Sequence, residues 1–127
     1  MPKTQITTDQ APKPGGGYSQ GMAAGDFVFT AGMGPADPAT GALVGPGDVA
    51  EQTRQVLRNL AAILAERGLT LADVVKVTSH LADLDRDFAA YDAAYQEFFT
   101  DPRPVRTTVG STLNGILVEI DVVAYAG

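Results

Sequence analysis

Apolar residues recur at helical spacing through the middle of the chain, between positions 48 and 68. Asp48 stands at the position of an N-cap, and Glu51 follows three residues later in the spacing of a capping box. Gly68 comes where a glycine in the left-handed conformation ends many helices. The pattern predicts an amphipathic helix, whose inward face is formed by Val49, Thr53, Val56, Leu57, Leu60, Ile63 and Leu64.

A second helical pattern is built on aromatic residues and follows a run of aspartates. We expect this helix to begin at Asp85 or Asp87 and to end before Asp101-Pro102, because proline cannot continue a helix. Since the aromatic residues keep the helical period, they are expected in the core and not on a surface that stacks on a ligand. The stripe consists of Phe88, Tyr91, Tyr95, Phe98 and Phe99.

Strand-like composition appears in four further segments, which are rich in β-branched and apolar residues. The turn-forming pair Asn114-Gly115 separates the last two segments, and this predicts a β-hairpin. The four segments are residues 26–31, 73–81, 105–113 and 116–125.

The order of these elements predicts one α+β domain with a mixed sheet of five to six strands. Residues 8–17 and 32–47 are rich in Gly and Pro and are expected to form loops and turns. Because only two helices are predicted, both should cover one face of the sheet, which leaves the other face solvated or buried against another subunit. The last strands carry little outward charge beyond Arg106, Glu119 and Asp121, so we expect burial in an oligomer.

Two interpretations of Arg106 are open from spacing alone. Alternate residues of a strand share a face, so Arg106 and Thr108 project together, as do Glu119 and Asp121. The predicted hairpin makes their strands neighbours. Arg106 then forms a cross-strand ion pair at a wet surface, worth about 0–1 kcal/mol. Alternatively, it anchors a ligand carboxylate while a nearby carboxylate holds or activates water.

Composition narrows the function classes. The chain has 127 residues and a mass of 13.2 kDa, which predicts a single domain over residues 1–127. The absence of cysteine excludes disulfides and thiolate chemistry. A net charge of −6 and scattered basic residues disfavour nucleic-acid binding. No stretch approaches the roughly 20 apolar residues of a membrane span, and the first residues lack an apolar signal core. We therefore expect a cytoplasmic protein without a membrane partner.

The remaining polar residues favour structural roles. His80 is the only histidine, so a histidine-cluster metal site is impossible, and we expect His80 to be packed or interfacial. Asp37, Asp48 and the aspartates at 83–87 are more typical of solvated loops and helix caps than of a metal site. No glycine-rich nucleotide-binding motif is present. The sequence therefore predicts neither a metal nor a cofactor.

Six segments carry residues that occur together in one known family. They are Gly17-Tyr-Ser-Gln-Gly21, Thr30-Ala-Gly-Met33, Ala50-Glu-Gln-Thr-Arg54 running into Asn59-Leu60, the helix from Phe88 through Tyr95 to Phe98-Phe99, Pro104-Val-Arg-Thr-Thr-Val109, and Leu117-Val-Glu-Ile-Asp121 followed by Ala124. With these segments the chain resembles the Rid family, the reactive intermediate deaminases, also called the YjgF family. The resemblance covers nearly the whole chain, and its carboxy-terminal motif is the most specific part.

The resemblance implies a chorismate-mutase-like fold and a homotrimer. In such trimers the sheets line a central barrel, the helices face outward, and ligands bind in clefts between subunits. It also implies an activity: hydrolysis of reactive 2-enamino and 2-imino acids, such as 2-aminoacrylate and 2-iminobutyrate, to 2-keto acids and ammonia. No cofactor is needed, and the expected ligand is a small-molecule carboxylate.

The resemblance assigns roles to individual residues. Arg106 falls on the arginine that holds the substrate carboxylate, and Glu119 falls on the glutamate that positions the attacking water. Tyr18 falls on a tyrosine of the cleft, and Gly32 falls on a glycine whose backbone lines the site. The chain keeps both the arginine and the glutamate, so deamination is the favoured function.

Four positions depart from the family pattern. Asp92 stands where many members have asparagine, and Thr108 stands where cysteine is frequent; both positions are expected to bind substrate. Gly17 replaces the proline that precedes the tyrosine, and Ala31 replaces a frequent serine. These changes alter the lining of the cleft, so a related amino or imino acid is also plausible as substrate.

A binding module is the alternative from another functional class. The same intersubunit cleft could hold a small carboxylate metabolite, or act in a chaperone-like way, without turnover. Replacing Glu119 by Gln separates the two. A hydrolase should lose reaction rate while its ligand affinity is kept, whereas a binding module should tolerate the change. A ribonuclease, which an older family label suggests, is disfavoured by the acidic pI of about 4.5.

Overall fold

The computed structural model describes residues 2–127. One mixed sheet of six strands and two α-helices form the fold, which confirms the predicted α+β class. The elements are β1 (Thr4–Ile6), β2 (Gly21–Ala24), β3 (Phe27–Thr30), α1 (Val49–Ala65), a short 3-10 turn (Leu71–Asp73), β4 (Val74–Leu81), α2 (Leu84–Gln96), β5 (Val105–Gly110) and β6 (Val118–Tyr125).

The strands lie in the order β1-β2-β3-β6-β4-β5. Neighbouring strands are antiparallel except β4 and β5, which run parallel. Parallel neighbours need a long crossover connection, and α2 provides it between β4 and β5. As a result β5 is an edge strand that follows α2 directly in the chain.

The predicted hairpin of the last two strands is wrong, because β4 lies between β5 and β6. The connection that begins at Ser111 crosses the end of β4, where the Ser111 N–H donates to the Leu81 carbonyl at 2.9 Å. It ends at Leu117, whose carbonyl accepts from the Ala82 N–H at 3.0 Å. Gly115 does adopt a left-handed conformation with φ of 78°, so a turn forms within a connection that spans β4.

Helix α1 agrees with its sequence pattern. The Asp48 carboxylate caps it and accepts from the Glu51 N–H at 3.2 Å. The Glu51 carboxylate pairs with Arg54 at 2.6 Å instead of reaching back to the cap. Gly68, with φ of 72°, lies in the turn that follows the helix. All residues predicted for the inward face are buried.

Helix α2 begins earlier than predicted. Its N-cap is Asp83, whose carboxylate accepts from the Arg86 N–H at 3.1 Å, so the expected start at Asp85 or Asp87 is wrong. Asp87 lies in the first turn and pairs with Arg86 at 2.9 Å. Three aspartates at alternate positions are equally suited to capping by residue type. Asp83 becomes the N-cap because the chain leaving β4 turns into the helix at this residue.

Both helices pack on one face of the sheet, as predicted. Along β4 and β6 the residues facing the helices are buried, and the alternate residues are half-buried or exposed. The opposite face, called the open face below, carries large side chains with little cover in the protomer. They include Phe27, Phe29, Val105, Val109 and Tyr125.

A buried glutamine fixes the loop between β1 and β2, two short strands that the sequence did not locate. The Gln20 side-chain carbonyl accepts from the Thr8 N–H at 2.7 Å. Its amide group donates to the carbonyls of Thr8, Ala11 and Pro12 at 3.0, 3.2 and 2.9 Å. Because the Gln20 side chain is satisfied by this loop, it holds the segment that carries Tyr18.

The two Gly- and Pro-rich stretches form loops and turns, as predicted. In the second, Ala36 and Leu43 form an isolated bridge around a turn. The Asp37 carboxylate accepts from the Ala39 N–H at 2.8 Å within that turn, so this aspartate is part of the local loop structure.

Candidate active site

Arg106 lies on β5, beside α2. In the parallel register it is next to Val77, which is fully buried under the helices. Paired residues share a face of the sheet, so Arg106 projects toward α2. Its guanidinium carbon lies 4.5 Å from the centre of the Tyr95 ring and 5.3 Å from that of Tyr91. The two tyrosines are in the core, as predicted, and they also support the cation through cation–π contacts. Phe88 of the same predicted stripe is 40% exposed, so the prediction of a core position is wrong for this residue.

Asp92 on α2 is the direct partner of Arg106. Nη1 of Arg106 donates to Oδ1 of Asp92 at 2.7 Å, and the Gln96 amide donates to Oδ2 at 2.8 Å. The two charged side chains are 22% and 26% exposed. Within residues 2–127 Arg106 donates no further hydrogen bond, so its Nε and Nη2 have no hydrogen-bond partner in the protomer.

Both members of this pair are charged at neutral pH. Burial acts to raise the pKa of Asp92, but hydrogen bonds from Arg106 and Gln96, with the charges of Arg106 and Arg103, lower it overall. Burial acts to lower the pKa of Arg106, but the hydrogen bond to Asp92 together with the charge interactions with Tyr91, Asp92 and Tyr95 outweighs it, so this pKa is raised. The ion pair is therefore maintained across the physiological range.

A cleft of about 370 Å³ opens beside the ion pair. Its lining includes two arginines and one aspartate, which leaves one excess positive charge. The hydroxyl of Tyr95 is buried without a hydrogen-bond partner among the described residues, and burial raises the pKa of Tyr95 to about 12. The size and charge suit a small organic acid. The lining residues are Asp92, Tyr95, Gln96, Arg103, Pro104 and Arg106.

Thr108 lies two residues beyond Arg106 on the same face of β5. In the register it is next to Ser79, which is fully buried. The Tyr91 hydroxyl donates to Ser79 Oγ at 2.6 Å and lies 3.5 Å from Thr108 Oγ1. Thr108 therefore adjoins the buried hydroxyls behind Arg106 and is not among the residues that line the cleft.

Glu119 lies on the open face. The register of β4 and β6 places it opposite His80, and both alternate with buried residues. A Cβ added at Gly32 would lie 2.8 Å from Oε1 of Glu119, so a larger residue here would force this carboxylate to shift. Backbone hydrogen bonds of 2.8 and 3.2 Å between Met33 and Ile120 hold the two segments together. The structure thus brings Glu119 and Gly32 together.

Tyr18 occupies a third place, in the loop between β1 and β2. These strands form the edge of the sheet opposite to β5. The side chain is 51% exposed, and its hydroxyl accepts from the Gly15 N–H at 3.1 Å. It lines an open depression of about 530 Å³ that is separate from the cleft at Arg106. Within one protomer Tyr18 and Arg106 do not share a cleft.

The cross-strand ion pair considered for Arg106 is absent. Asp92 is its partner, while Glu119 and Asp121 face the other side of the sheet, with Asp121 opposite Thr78. The interpretation failed because it rested on the hairpin. With β4 inserted between the two strands, neither carboxylate can reach Arg106 in the same protomer.

The open face also carries the single histidine. His80 is half-buried, and its Nδ1 lies 2.7 Å from the Ser111 hydroxyl, so it is packed within the protomer. Burial raises the pKa of Asp121 nearby, although the charges of His80 and Lys76 act to lower it. Asp121 is half-buried on this face.

Several residues around Arg106 were not predicted as site residues, among them Gln96, Arg103 and the supporting Tyr95. Gln96 had a usable signal, since it follows Asp92 by four residues and therefore shares its face of α2. Arg103 is close to Arg106 in sequence, but the loop between α2 and β5 decides its direction. No pattern in the sequence reports that direction.

Residues 2–127 contain no group of three or more His, Asp or Glu side chains placed to hold a metal ion. The aspartates Asp48 and Asp83 cap the two helices. None of the described helices is long and apolar enough to cross a membrane.

Known proteins match the chain over nearly its full length. The family model described as Endoribonuclease L-PSP matches residues 8–126. A RutC family protein of Pyrococcus abyssi is 46% identical, with 98% of each chain covered. The 2-iminobutanoate/2-iminopropanoate deaminase of Escherichia coli K12 is 40% identical, again with 98% of each chain covered.

A solved structure also matches the chain over nearly its full length. The crystal structure of the YjgF gene product from E. coli superposes with a TM-score of 0.89 at 37% identity, covering 98% of this chain and 99% of that chain. The family resemblance noted from the sequence motifs is thereby confirmed. The chain belongs to the Rid family, that is, the YjgF/RidA family of proteins.

Proposed function

We propose that the protein is a cofactor-independent deaminase that hydrolyses reactive 2-enamino and 2-imino acids to 2-keto acids and ammonia. The observation that carries this proposal is the Arg106 guanidinium, which is held by Asp92 and has two nitrogens free beside a cleft of small-molecule size. A planar fork of this kind matches the geometry of a carboxylate and can bind it through two hydrogen bonds. The 40% identity to an E. coli 2-iminobutanoate/2-iminopropanoate deaminase supports the reaction class.

The proposed active unit is a homotrimer with sites between subunits. In one protomer Arg106 and Glu119 face opposite sides of the sheet, so one protomer does not place both on one substrate. The large apolar side chains of the open face, including Phe29 and Val105, are the kind of surface that a neighbouring subunit covers. In the proposed trimer, Arg106 of one protomer and Glu119 of the next face each other across the interface.

The proposed chemistry needs an anchor, a positioned water and a proton acceptor. Arg106 binds the substrate carboxylate and fixes C2. The water oxygen forms a bond to C2 while a water proton passes to Glu119 and the C2–N π electrons move to nitrogen. The resulting carbinolamine takes the proton from Glu119 on its nitrogen, and the C2–N bond breaks with its electron pair leaving on nitrogen as ammonia. The hydroxyl then gives up its proton to become the carbonyl, and ammonia takes up that proton. An iminium acid and one water thus give one keto acid and one ammonium ion.

The required contributions are moderate, because imines also hydrolyse unaided. Positioned acid–base catalysis contributes about 10²–10⁴-fold. A hydrogen bond to a charged anchor contributes about 1.5–3 kcal/mol, which is roughly 10–150-fold in affinity.

The direct test is keto-acid formation from 2-iminobutyrate generated in situ, with semicarbazide as a competing trap. We expect Arg106→Ala to lose about 10–150-fold in kcat/KM. Glu119→Gln should lose about 100-fold or more in kcat while ligand affinity is kept. Arg58→Ala is the matched control, because Arg58 is an exposed arginine of α1, and this variant should keep wild-type activity.

Other outcomes separate the alternatives. A folded wild type without turnover, which still binds small carboxylates through Arg106, would indicate a binding module. Full activity in Glu119→Gln would contradict the role given to Glu119. RNA binding that weakens steeply with salt would instead favour the activity that the family description names.

A further inference from the structure

The anchor arginine of this protein has a built-in counterion. Asp92 is charged, lies 2.7 Å from Nη1 of Arg106, and is held in place from the other side by Gln96. A neutral asparagine of the same shape could still accept from Arg106 through its one side-chain oxygen, although its nitrogen could not accept from Gln96 as Oδ2 does. The negative charge therefore has a consequence for ligands beyond positioning the arginine.

The free edge of Arg106 and the Asp92 carboxylate belong to the same cleft. Asp92 uses only Nη1, so a ligand carboxylate can bind at Nε and Nη2. Its charge then lies on the order of 6 Å from that of Asp92, one guanidinium width plus two hydrogen bonds. Like charges at this distance repel, while a positive group of the ligand next to its carboxylate is attracted.

We propose that Asp92 is a specificity-determining residue that makes the cleft prefer zwitterionic ligands, with a cationic nitrogen next to the carboxylate, over anions of the same carbon skeleton. This inference rests on the proposed function, since it takes Arg106 as the carboxylate anchor. The substrate class it names is the protonated 2-imino acid, whose iminium nitrogen and carboxylate give a net charge of zero.

The preference also separates substrate from product. Hydrolysis removes the nitrogen as ammonium and leaves a 2-keto acid with a net charge of −1. The product has lost the group that Asp92 attracts and keeps the group that Asp92 repels. Asp92 therefore favours product release, and it limits inhibition by keto acids that share the carbon skeleton.

Arg103 is the other charged group facing the cleft, and its effect has the opposite sign. Within residues 2–127 the charged residues of the lining are Asp92, Arg103 and Arg106. Arg103 is exposed, so water screens it more than the Asp92–Arg106 pair. It attracts an anionic ligand and repels a cationic nitrogen. Both effects are weaker than the repulsion of anions and the attraction of cationic nitrogen by Asp92.

The test uses two stable probes of one carbon skeleton, 2-aminobutyrate as zwitterion and 2-ketobutyrate as anion. Their dissociation constants are measured by calorimetry at neutral pH on the assembled protein. Wild type should bind 2-aminobutyrate more tightly. In Asp92→Asn the ratio of the two constants should shift toward 2-ketobutyrate by about tenfold, as expected for one partly screened charge pair. The Asn oxygen can still accept from Arg106, so the arginine stays in place.

Two further variants complete the design. Arg103→Gln should shift the ratio in the opposite direction by a smaller factor. Arg106→Ala should weaken binding of both probes by about 10–150-fold. An unchanged ratio in a folded Asp92→Asn protein, with both constants moving together, would overturn the proposal and leave Asp92 as a positioning residue only.

A different result would show that Arg106 does not anchor the ligand carboxylate. If Arg106→Ala binds both probes as wild type does, or wild type binds neither, then the proposed function is wrong and this inference falls with it. If Arg106→Ala weakens binding of both probes while Asp92→Asn keeps the wild-type ratio, only the inference about Asp92 is wrong.

Discussion

Arg106 and Glu119 differ in how much of their surroundings one protomer supplies. Arg106 has Asp92 at 2.7 Å and the rings of Tyr91 and Tyr95 beneath it. Glu119 lies against Gly32, and its carboxylate makes no hydrogen bond or ion pair within the described chain. One protomer thus supplies the partners that hold Arg106, whereas the Glu119 carboxylate has no such partner in the described residues.

This difference separates binding from reaction. A guanidinium with a fixed partner and two free nitrogens can hold a carboxylate without further protein groups. A carboxylate that activates water works only where a substrate carbon is brought to it. In the proposed trimer, Arg106 of one protomer holds the substrate against Glu119 of the next.

The largest expected effect comes from mixing two inactive variants. Arg106→Ala and Glu119→Gln each lack one half of the proposed site. In randomly mixed trimers, a site takes its arginine from one protomer and its glutamate from the next, so about a quarter of the sites are intact. Keto-acid formation by the co-expressed mixture should therefore recover to about a quarter of wild-type activity.

The control is a mixture of Arg106→Ala with the double variant, in which no site has an arginine and no recovery is expected. Mixed oligomers are verified by mass spectrometry of differently tagged chains. Verified mixed trimers without recovered activity would mean that the two residues do not meet across an interface.

A smaller effect is expected from crowding Glu119. Gly32→Ala places a methyl group 2.8 Å from Oε1 and 3.1 Å from Cγ of Glu119, so that side chain must move. We expect kcat to fall by about 10–100-fold, part of the contribution of positioned acid–base catalysis. Gly110→Ala is the matched control, because its added methyl meets Leu84 at an ordinary 3.6 Å. Equal kcat in the two variants would contradict the role of the Gly32–Glu119 contact.

The smallest effects concern stability, and the two regions should respond to acid with opposite signs. The pKa of Asp92 is below its usual value of 3.8, so its ion pair stabilises the fold above about pH 4 and is lost as pH falls. The pKa of Asp121 is raised by burial, so the charged form is a penalty at neutral pH that acid relieves. Asp92→Asn should cost about 1 kcal/mol at pH 7, and Asp121→Asn should give a smaller gain.

Urea unfolding from pH 7 down to pH 2.5 measures both effects. The Asp121→Asn difference should shrink as the pH falls through the raised pKa of Asp121 toward the usual aspartate value, because the buried charge is then neutralised in wild type. The Asp92→Asn difference should shrink only as the pH falls below the usual value, through the lowered pKa of Asp92. A constant difference across this range would show that packing, and not ionisation, separates the variants.

Local patterns predicted the local elements of this fold. The face of α1 follows from a helical period that tertiary packing reinforces, and every predicted inward residue is buried. The start of α2 was misplaced because capping depends on the backbone direction at Asp83 as well as on residue type. The short strands β1 and β2 have too few residues for an alternation to be visible.

The site could not be predicted fully because it depends on which strands, distant in sequence, pair in the sheet. Asn114-Gly115 is a strong hairpin signal, yet β4 takes the place beside β6 because α2 returns the chain parallel to β4. That one change moves Arg106 away from Glu119 and brings it to Asp92. The family resemblance pointed to both residues, but neither resemblance nor spacing reported their opposite faces.

The β4–α2–β5 unit affects the order in which the two parts of the site form during folding and assembly. Arg106 and its partners on α2 come from one short continuous stretch of chain, and contacts between residues near in sequence form early in folding. The Glu119 side joins β3 to β6 across most of the chain, and in the proposed assembly it also waits for a second subunit. Under the proposed function, a newly synthesised chain should therefore be able to hold a carboxylate metabolite before it can transform one, and activity per chain should rise with the concentration at which subunits meet.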